Sequence, residues 1–232
     1  MTYCMLKLYN LAMPRMPRIV APDYPHHVVQ RGNRRQQVFF RDSDYEDYLR
    51  FLKEYSEKFQ LKIVSYCLMP NHVHLIVIPQ RHDSLASAIG DTHQKYTKMV
   101  NLRQDWRGYL WQGRFSSYVL DERYLYTVLK YIFLNPVKAG IVKKAEEYKW
   151  SSLRHHLDRD GKYFLDDDII IDMIADWKTL LYDDLSDLQI KLFRKHENTG
   201  RPLGEIKFIE KLEKLLGVSF KRKKPGPKTK IK

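Results

Sequence analysis

Residues 61–79, "LKIVSYCLM", then Pro70–Asn71, then "HVHLIVIP", constrain the fold more than any other stretch. Two β-rich runs flank a two-residue turn signal, a pattern that predicts an antiparallel hairpin. Side chains alternate along a strand, so Val73, Leu75 and Val77 share one face. His72, His74, Ile76 and Ile78 share the other. A lone buried histidine is usually a satisfied core residue. Two imidazoles side by side at the head of a buried strand suit a metal ion.

Around this hairpin the periods alternate. Residues 24–40 read as a strand, a basic turn at Arg31–Arg35 and a short apolar stretch. Residues 42–60 carry a capping Asp42 or Ser43 before apolar positions at helical spacing. A second amphipathic helix is predicted over 83–104, a strand over 109–121, and a third helix over 122–140 with Asp121 as its cap. The order β-α-β-β-α-β-α predicts an α+β fold, a ferredoxin-like antiparallel sheet with helices on one face. Residues 16–157 would form this domain. Met13 and Met16 offer alternative starts, so residues 1–15 are expected outside it.

Beyond residue 157 the composition changes. Residues 158–187 hold ten Asp and three Lys or Arg, and 200–217 has the pattern of a short amphipathic helix. Residues 158–220 are therefore expected to be a helical C-terminal extension. The tail 221–232 has seven basic residues and no acid, which predicts a disordered, phosphate-seeking segment.

The net charge of +13 favours a polyanionic partner, nucleic acid before membrane. No run of 18 apolar residues predicts a membrane-spanning helix. Two cysteines, Cys4 and Cys67, offer no disulfide framework and imply a reducing, cytoplasmic setting.

The third helix adds to the histidines. Tyr131 and Asn135 are four apart and share a helical face. Asn135 offers an amide oxygen as a third ligand beside His72 and His74, and mixed N/O ligation suits Mg²⁺ or Mn²⁺, with Zn²⁺ left open. The bland reading of Tyr131 is an aromatic packed on the sheet. Beside a divalent ion and basic residues, it could instead attack a phosphodiester.

"PHHVVQRGNRRQQVFF", "CLMPNHVHLIVIP", "LWQGRFSSYVLD" and "YIFLNPVKAGIV" together resemble the REP-associated tyrosine transposases. These belong to the single-tyrosine HUH, IS200-like transposase superfamily. The resemblance covers about residues 16–157 and implies a ferredoxin-like fold, a divalent metal and cleavage of single-stranded DNA near palindromic hairpins. Matched motif by motif, it places His72 and His74 on the metal ligands, Tyr131 on the nucleophile and Asn135 on the added ligand. Tyr124 and Tyr126 lie nearby, so the nucleophile rests on the "KYIFLNP" match.

Between strand and helix, "QRGNRRQQ" supplies Arg31, Asn33, Arg34 and Arg35 for phosphates and base edges. Its bland alternative is a solvated turn. "WQGRF" adds Gln112 and Arg114 as DNA contacts, with Phe115 assigned to the core and Trp111 to stacking if exposed or core if buried. Lys221, Arg222, Lys223 and Lys224 complete the basic set. His93, Lys95 and Lys98 read as a wet helical face. The leading function is a transposase or endonuclease acting on hairpin DNA, as a monomer or a homodimer. The alternatives are a non-catalytic nucleic-acid-binding descendant and a metal hydrolase that would leave Tyr131 idle.

Overall fold

The computed structural model describes residues 18–158, 164–166, 170, 174, 177–182 and 184–220. Both ends named above, residues 1–15 and the tail 221–232, lie outside the described residues.

Strand β1 (His26–Arg31) leads into helix α1 (Asp42–Lys58), then β2 (Leu61–Met69), β3 (His72–Pro79), α2 (Ser84–Gln104), β4 (Ser116–Val119) and α3 (Glu122–Lys138). The four strands form one antiparallel sheet in the order β2-β3-β1-β4. The predicted hairpin is there, and His72 pairs with Met69 across its turn. A register shift between Ile63 and Ser65 keeps both halves of β2 facing correctly despite an irregularity in the strand.

The predicted placement of helices on one face holds for α1 and α2 only. Val73, Leu75 and Val77 join Tyr48, Phe51, Leu85 and Ile89 in one core. Helix α3 packs on the opposite face, where Ile76, Ile78, Tyr118, Leu120, Leu129 and Ile132 form a second core. The reason is the composition of β3, which is apolar on both faces, so water must be excluded from both.

The strand predicted over 109–121 is confined to Ser116–Val119. Before it, Trp111 makes an isolated bridge to Gly32, and Gly113 at φ 67° turns the chain outward. Helix α3 starts as predicted, with the Asp121 carboxylate accepting from the Tyr124 N–H at 2.8 Å.

Past α4 (Leu153–Asp158) come α5 (Trp177–Tyr182), α6 (Asp187–Thr199) and α7 (Ile206–Leu216). Several hydrogen bonds pin this extension to the sheet, two of them at the end of β4. The Leu203 N–H donates to the Val119 carbonyl at 2.8 Å, and the second Asp121 oxygen accepts from the Glu205 N–H at 2.8 Å. Asp121 thus caps α3 and anchors the chain ahead of α7 at once. Among the described residues no helix is long and apolar enough to cross a membrane.

Candidate functional site

The histidines lie where β3 emerges from its turn, on the α3 face of the sheet. His74 is fully buried and His72 partly exposed, their ring centres 4.8 Å apart. The Asn71 side-chain oxygen lies 2.6 Å from His72 Nδ1. An amide oxygen only accepts, so Nδ1 carries the proton and the His72 Nε2 lone pair stays free.

Behind His74 stands His27, on the neighbouring strand β1. His27 Nε2 lies 2.9 Å from His74 Nδ1, and His27 Nδ1 lies 2.9 Å from the Tyr118 hydroxyl. Both His27 and Tyr118 are fully buried. The chain of hydrogen bonds ends at His74 Nε2, which is buried without a partner among the described residues. Such an orphaned group costs about 1–3 kcal/mol unless something outside the chain satisfies it. Burial, with Arg31 nearby, lowers His72 to about 4 and His27 to about 3. Burial, then the neighbouring His72, His27 and Arg31, holds His74 well below the ordinary imidazole value. All three rings are neutral at pH 7, the state in which imidazole binds a metal.

Helix α3 brings Tyr131 to the same place. Its ring centre lies 5.7 Å from His74 and 6.4 Å from His27. Burial raises its phenol pKa and Glu197 raises it further, while Arg194, Arg31 and a hydrogen bond from Asn135 oppose that. The Asn135 amide also donates to the Tyr131 carbonyl at 2.9 Å. Tyr126 is exposed and Tyr124 half-buried, and neither ring touches the histidines among the described contacts. Among the described residues no group of three His, Cys, Asp or Glu side chains could hold a metal ion by itself. Two adjacent neutral imidazoles, one with a buried ring nitrogen that has no partner among the described residues, fit a divalent ion.

A cleft of about 550 Å³ opens beside His72, lined by Arg31, Arg35, Asn71, Gln112, Arg194, Glu197 and Asn198. A second hollow of about 510 Å³ continues it past Gln112 toward Arg18, Arg114 and Arg201. Arg34 and Arg35 are exposed at the rim and Asn33 is half-buried, its N–H held by the Leu110 carbonyl. Trp111 is buried and belongs to the core, not to a stacking surface. Phe115 is core too, with the Arg18 guanidinium 3.6 Å above its ring. His93 does not lie on a wet face. It is buried and its Nε2 meets the Tyr48 hydroxyl at 3.0 Å, because α2 packs on α1 through that side. Lys95 and Lys98 are exposed as expected. Lys221, Arg222, Lys223 and Lys224 lie outside the described residues.

Sequence reading missed His27, although its signal was present: it precedes Val28 in β1 and so faces the same side as His74. It also missed Arg194 and Glu197 on α6, which left no local signal.

Residues 21–135 match the IS200-like transposase family, and this part of the chain is an IS200-like transposase domain. The chain is similar to REP-associated tyrosine transposases. It is 26% identical over 106 residues to the one of Escherichia coli strain K12, covering 45% of this chain and 61% of that protein. It is 29% identical over 126 residues to a Haemophilus influenzae protein named for the same family, covering 50% of this chain and 70% of that one. The match thus spans less than two thirds of the Escherichia coli protein's length. Among solved structures, a REP-associated tyrosine transposase bound to a REP hairpin matches with a TM-score of 0.55 at 21% identity, covering 65% of this chain and 88% of that one. That likeness supports the fold.

Proposed function

We propose that this chain is a metal-dependent endonuclease and strand transferase of the HUH type, acting on single-stranded DNA beside a hairpin. One observation carries the reading: the Tyr131 ring packs against His74, whose outward nitrogen has no partner among the described residues. His72 Nε2, His74 Nε2 and the Asn135 amide would hold a divalent ion, Mg²⁺ or Mn²⁺. Bound there, the ion would polarise the scissile phosphate.

The chain's own groups do the rest. Arg31, Arg35 and Gln112 line the cleft and hold the strand by its phosphates. Arg31 and Arg194 are positioned to favour charge on the phenol oxygen, against burial and Glu197. As the Tyr131 oxygen bonds to phosphorus, the phenol loses its proton and the bond from phosphorus to the 3′-oxygen breaks. The departing 3′-oxygen takes up a proton, and the strand is left joined through its 5′-phosphate to Tyr131. Because a phosphodiester replaces a phosphodiester, a second 3′-hydroxyl can reverse the exchange without ATP.

The test uses labelled hairpin DNA with a single-stranded extension, Mn²⁺ or Mg²⁺, and a denaturing gel. The native protein should become covalently attached to DNA. Tyr131→Phe should keep its fold and lose the adduct, and Tyr126→Phe should keep both. An adduct that survives Tyr131→Phe, or maps to another tyrosine, would falsify the assignment. The non-catalytic DNA-binding alternative predicts hairpin binding without any adduct.

A further inference from the structure

The loop that closes α2 exposes an unusual amount of apolar and aromatic surface. Tyr109 is 85% exposed, Leu102 83% and Trp106 43%. Single exposed apolar residues are ordinary, but three together on one short segment mark a contact surface. The segment is also firmly held. Asp105 ends α2 in a left-handed conformation, and the Trp106 N–H donates to the Asn101 carbonyl at 2.8 Å. The Asn101 side chain donates to the Gly108 carbonyl at 2.9 Å, and Gly108 sits at φ 97°. Trp106 is fixed edge-on against Phe40, ring centres 5.6 Å apart. These rings are therefore presented to solvent by a built turn.

Its neighbour is the basic turn after β1. The Leu110 carbonyl, next to Tyr109, accepts from the Asn33 N–H at 2.8 Å and from the Gln36 side chain at 3.3 Å. Arg34 and Arg35 stand exposed on that turn, both with left-handed backbones at φ 53° and φ 62°. Arg107 is exposed within the aromatic loop itself. Exposed arginines thus lie on the aromatic loop and on the turn bonded to it. Arg35 also lines the cleft beside His72, and so does Gln112, three residues after Tyr109.

Exposed rings interleaved with arginines match unpaired nucleotides: a ring stacks on any base, and guanidinium groups hold the phosphates between bases. We propose that Trp106 and Tyr109 form a stacking platform for unpaired bases of the DNA strand whose hairpin the cleft engages. This rests on the proposed action on single-stranded DNA beside a hairpin and adds the residues that hold its unpaired bases.

The test compares two labelled oligonucleotides, one hairpin with a 5′ single-stranded extension and the same hairpin blunt, by fluorescence anisotropy. Tyr109→Ala and Trp106→Ala should weaken binding of the extended hairpin roughly tenfold each and leave the blunt hairpin nearly unchanged. Tyr109→Phe, which keeps the ring, should bind like the native chain. Circular dichroism should show unchanged folding in all three. Equal losses on both oligonucleotides, or no loss on either, would overturn the platform. So would a change of oligomeric state in Tyr109→Ala, which would make the loop a contact between copies. The Tyr131 adduct, measured on the same variants, separates the two ideas: an adduct with unchanged affinities defeats the platform alone. Stacking without an adduct defeats the nuclease reading alone.

Discussion

His27 Nε2 lies 2.9 Å from His74 Nδ1, and the same His27 ring meets the Tyr118 hydroxyl through its other nitrogen. The direction of these bonds decides what His74 can do. If Tyr118 donates to His27, then His27 donates to His74, and His74 Nε2 carries a proton and binds no metal. If His74 donates to His27 and His27 to the Tyr118 oxygen, His74 Nε2 is left with its lone pair. Metal binding therefore requires the second arrangement, with His27 as the acceptor that fixes the His74 tautomer.

A first prediction follows from that polarity. His27→Leu removes the acceptor while keeping an apolar, buried side chain. Its Mn²⁺ affinity, measured by electron paramagnetic resonance without DNA, should fall about 10–100-fold. Tyr118→Phe should weaken it less, because His27 can still accept from His74. Unchanged affinity in His27→Leu would remove the relay from the account of the site.

Glu197 puts a carboxylate in the cleft, accepting from Arg31 Nη2 at 2.8 Å. It occupies a guanidinium that a phosphate would otherwise take, and it raises the Tyr131 phenol pKa. Glu197→Gln should strengthen DNA binding and steepen its dependence on salt by about one phosphate contact. The pH profile of adduct formation should move to lower pH, since the phenol loses its proton more readily. A profile that stays in place would separate Glu197 from the nucleophile.

Gly32 holds the basic turn through lack of space. A Cβ there would collide with the Gln36 carbonyl oxygen and come within 2.9 Å of a Val38 methyl. Gly32→Ala must shift the turn that carries Arg34 and Arg35, so DNA affinity should fall while adduct chemistry at Tyr131 remains. Thermal melting should drop by a few degrees, consistent with roughly 1–3 kcal/mol of overpacking. Native affinity in this variant would show that the turn's position does not matter for binding.

Stability should also depend on pH in a defined direction. Burial lowers His26 to about 4 and His93 to about 3, so both stay neutral in the folded chain well below pH 6.5. In the unfolded chain each takes up a proton as pH falls through about 6.5. The unfolded state then binds more protons, and the stability present above pH 6.5 is lost progressively down to about pH 4 for His26 and about pH 3 for His93. Melting temperatures taken between pH 7.5 and 4.5 should decline, and His93→Gln should flatten the decline. A melting temperature that rises on acidification would contradict the burial of these rings.

Much of this was legible in local sequence because local rules govern it. The hairpin at Pro70–Asn71, the Asp121 cap and the periods of α1, α2 and α3 depend on neighbours a few residues apart. So does the face shared by His72 and His74, and the face shared by Tyr131 and Asn135. Tertiary structure decided what depends on distant partners. It put α3 across the sheet from α1 and α2, because β3 had to be covered on both sides. It buried Trp111, open to either setting, and His93, expected on a wet face, because α2 packs its His93 side onto α1 and Trp111. Above all it brought His27 behind His74 and Glu197 onto Arg31, pairs 47 and 166 residues apart in the chain. No spacing rule spans such distances; only the strand order β2-β3-β1-β4 and the docking of α6 against β4 set which side chains meet in the cleft.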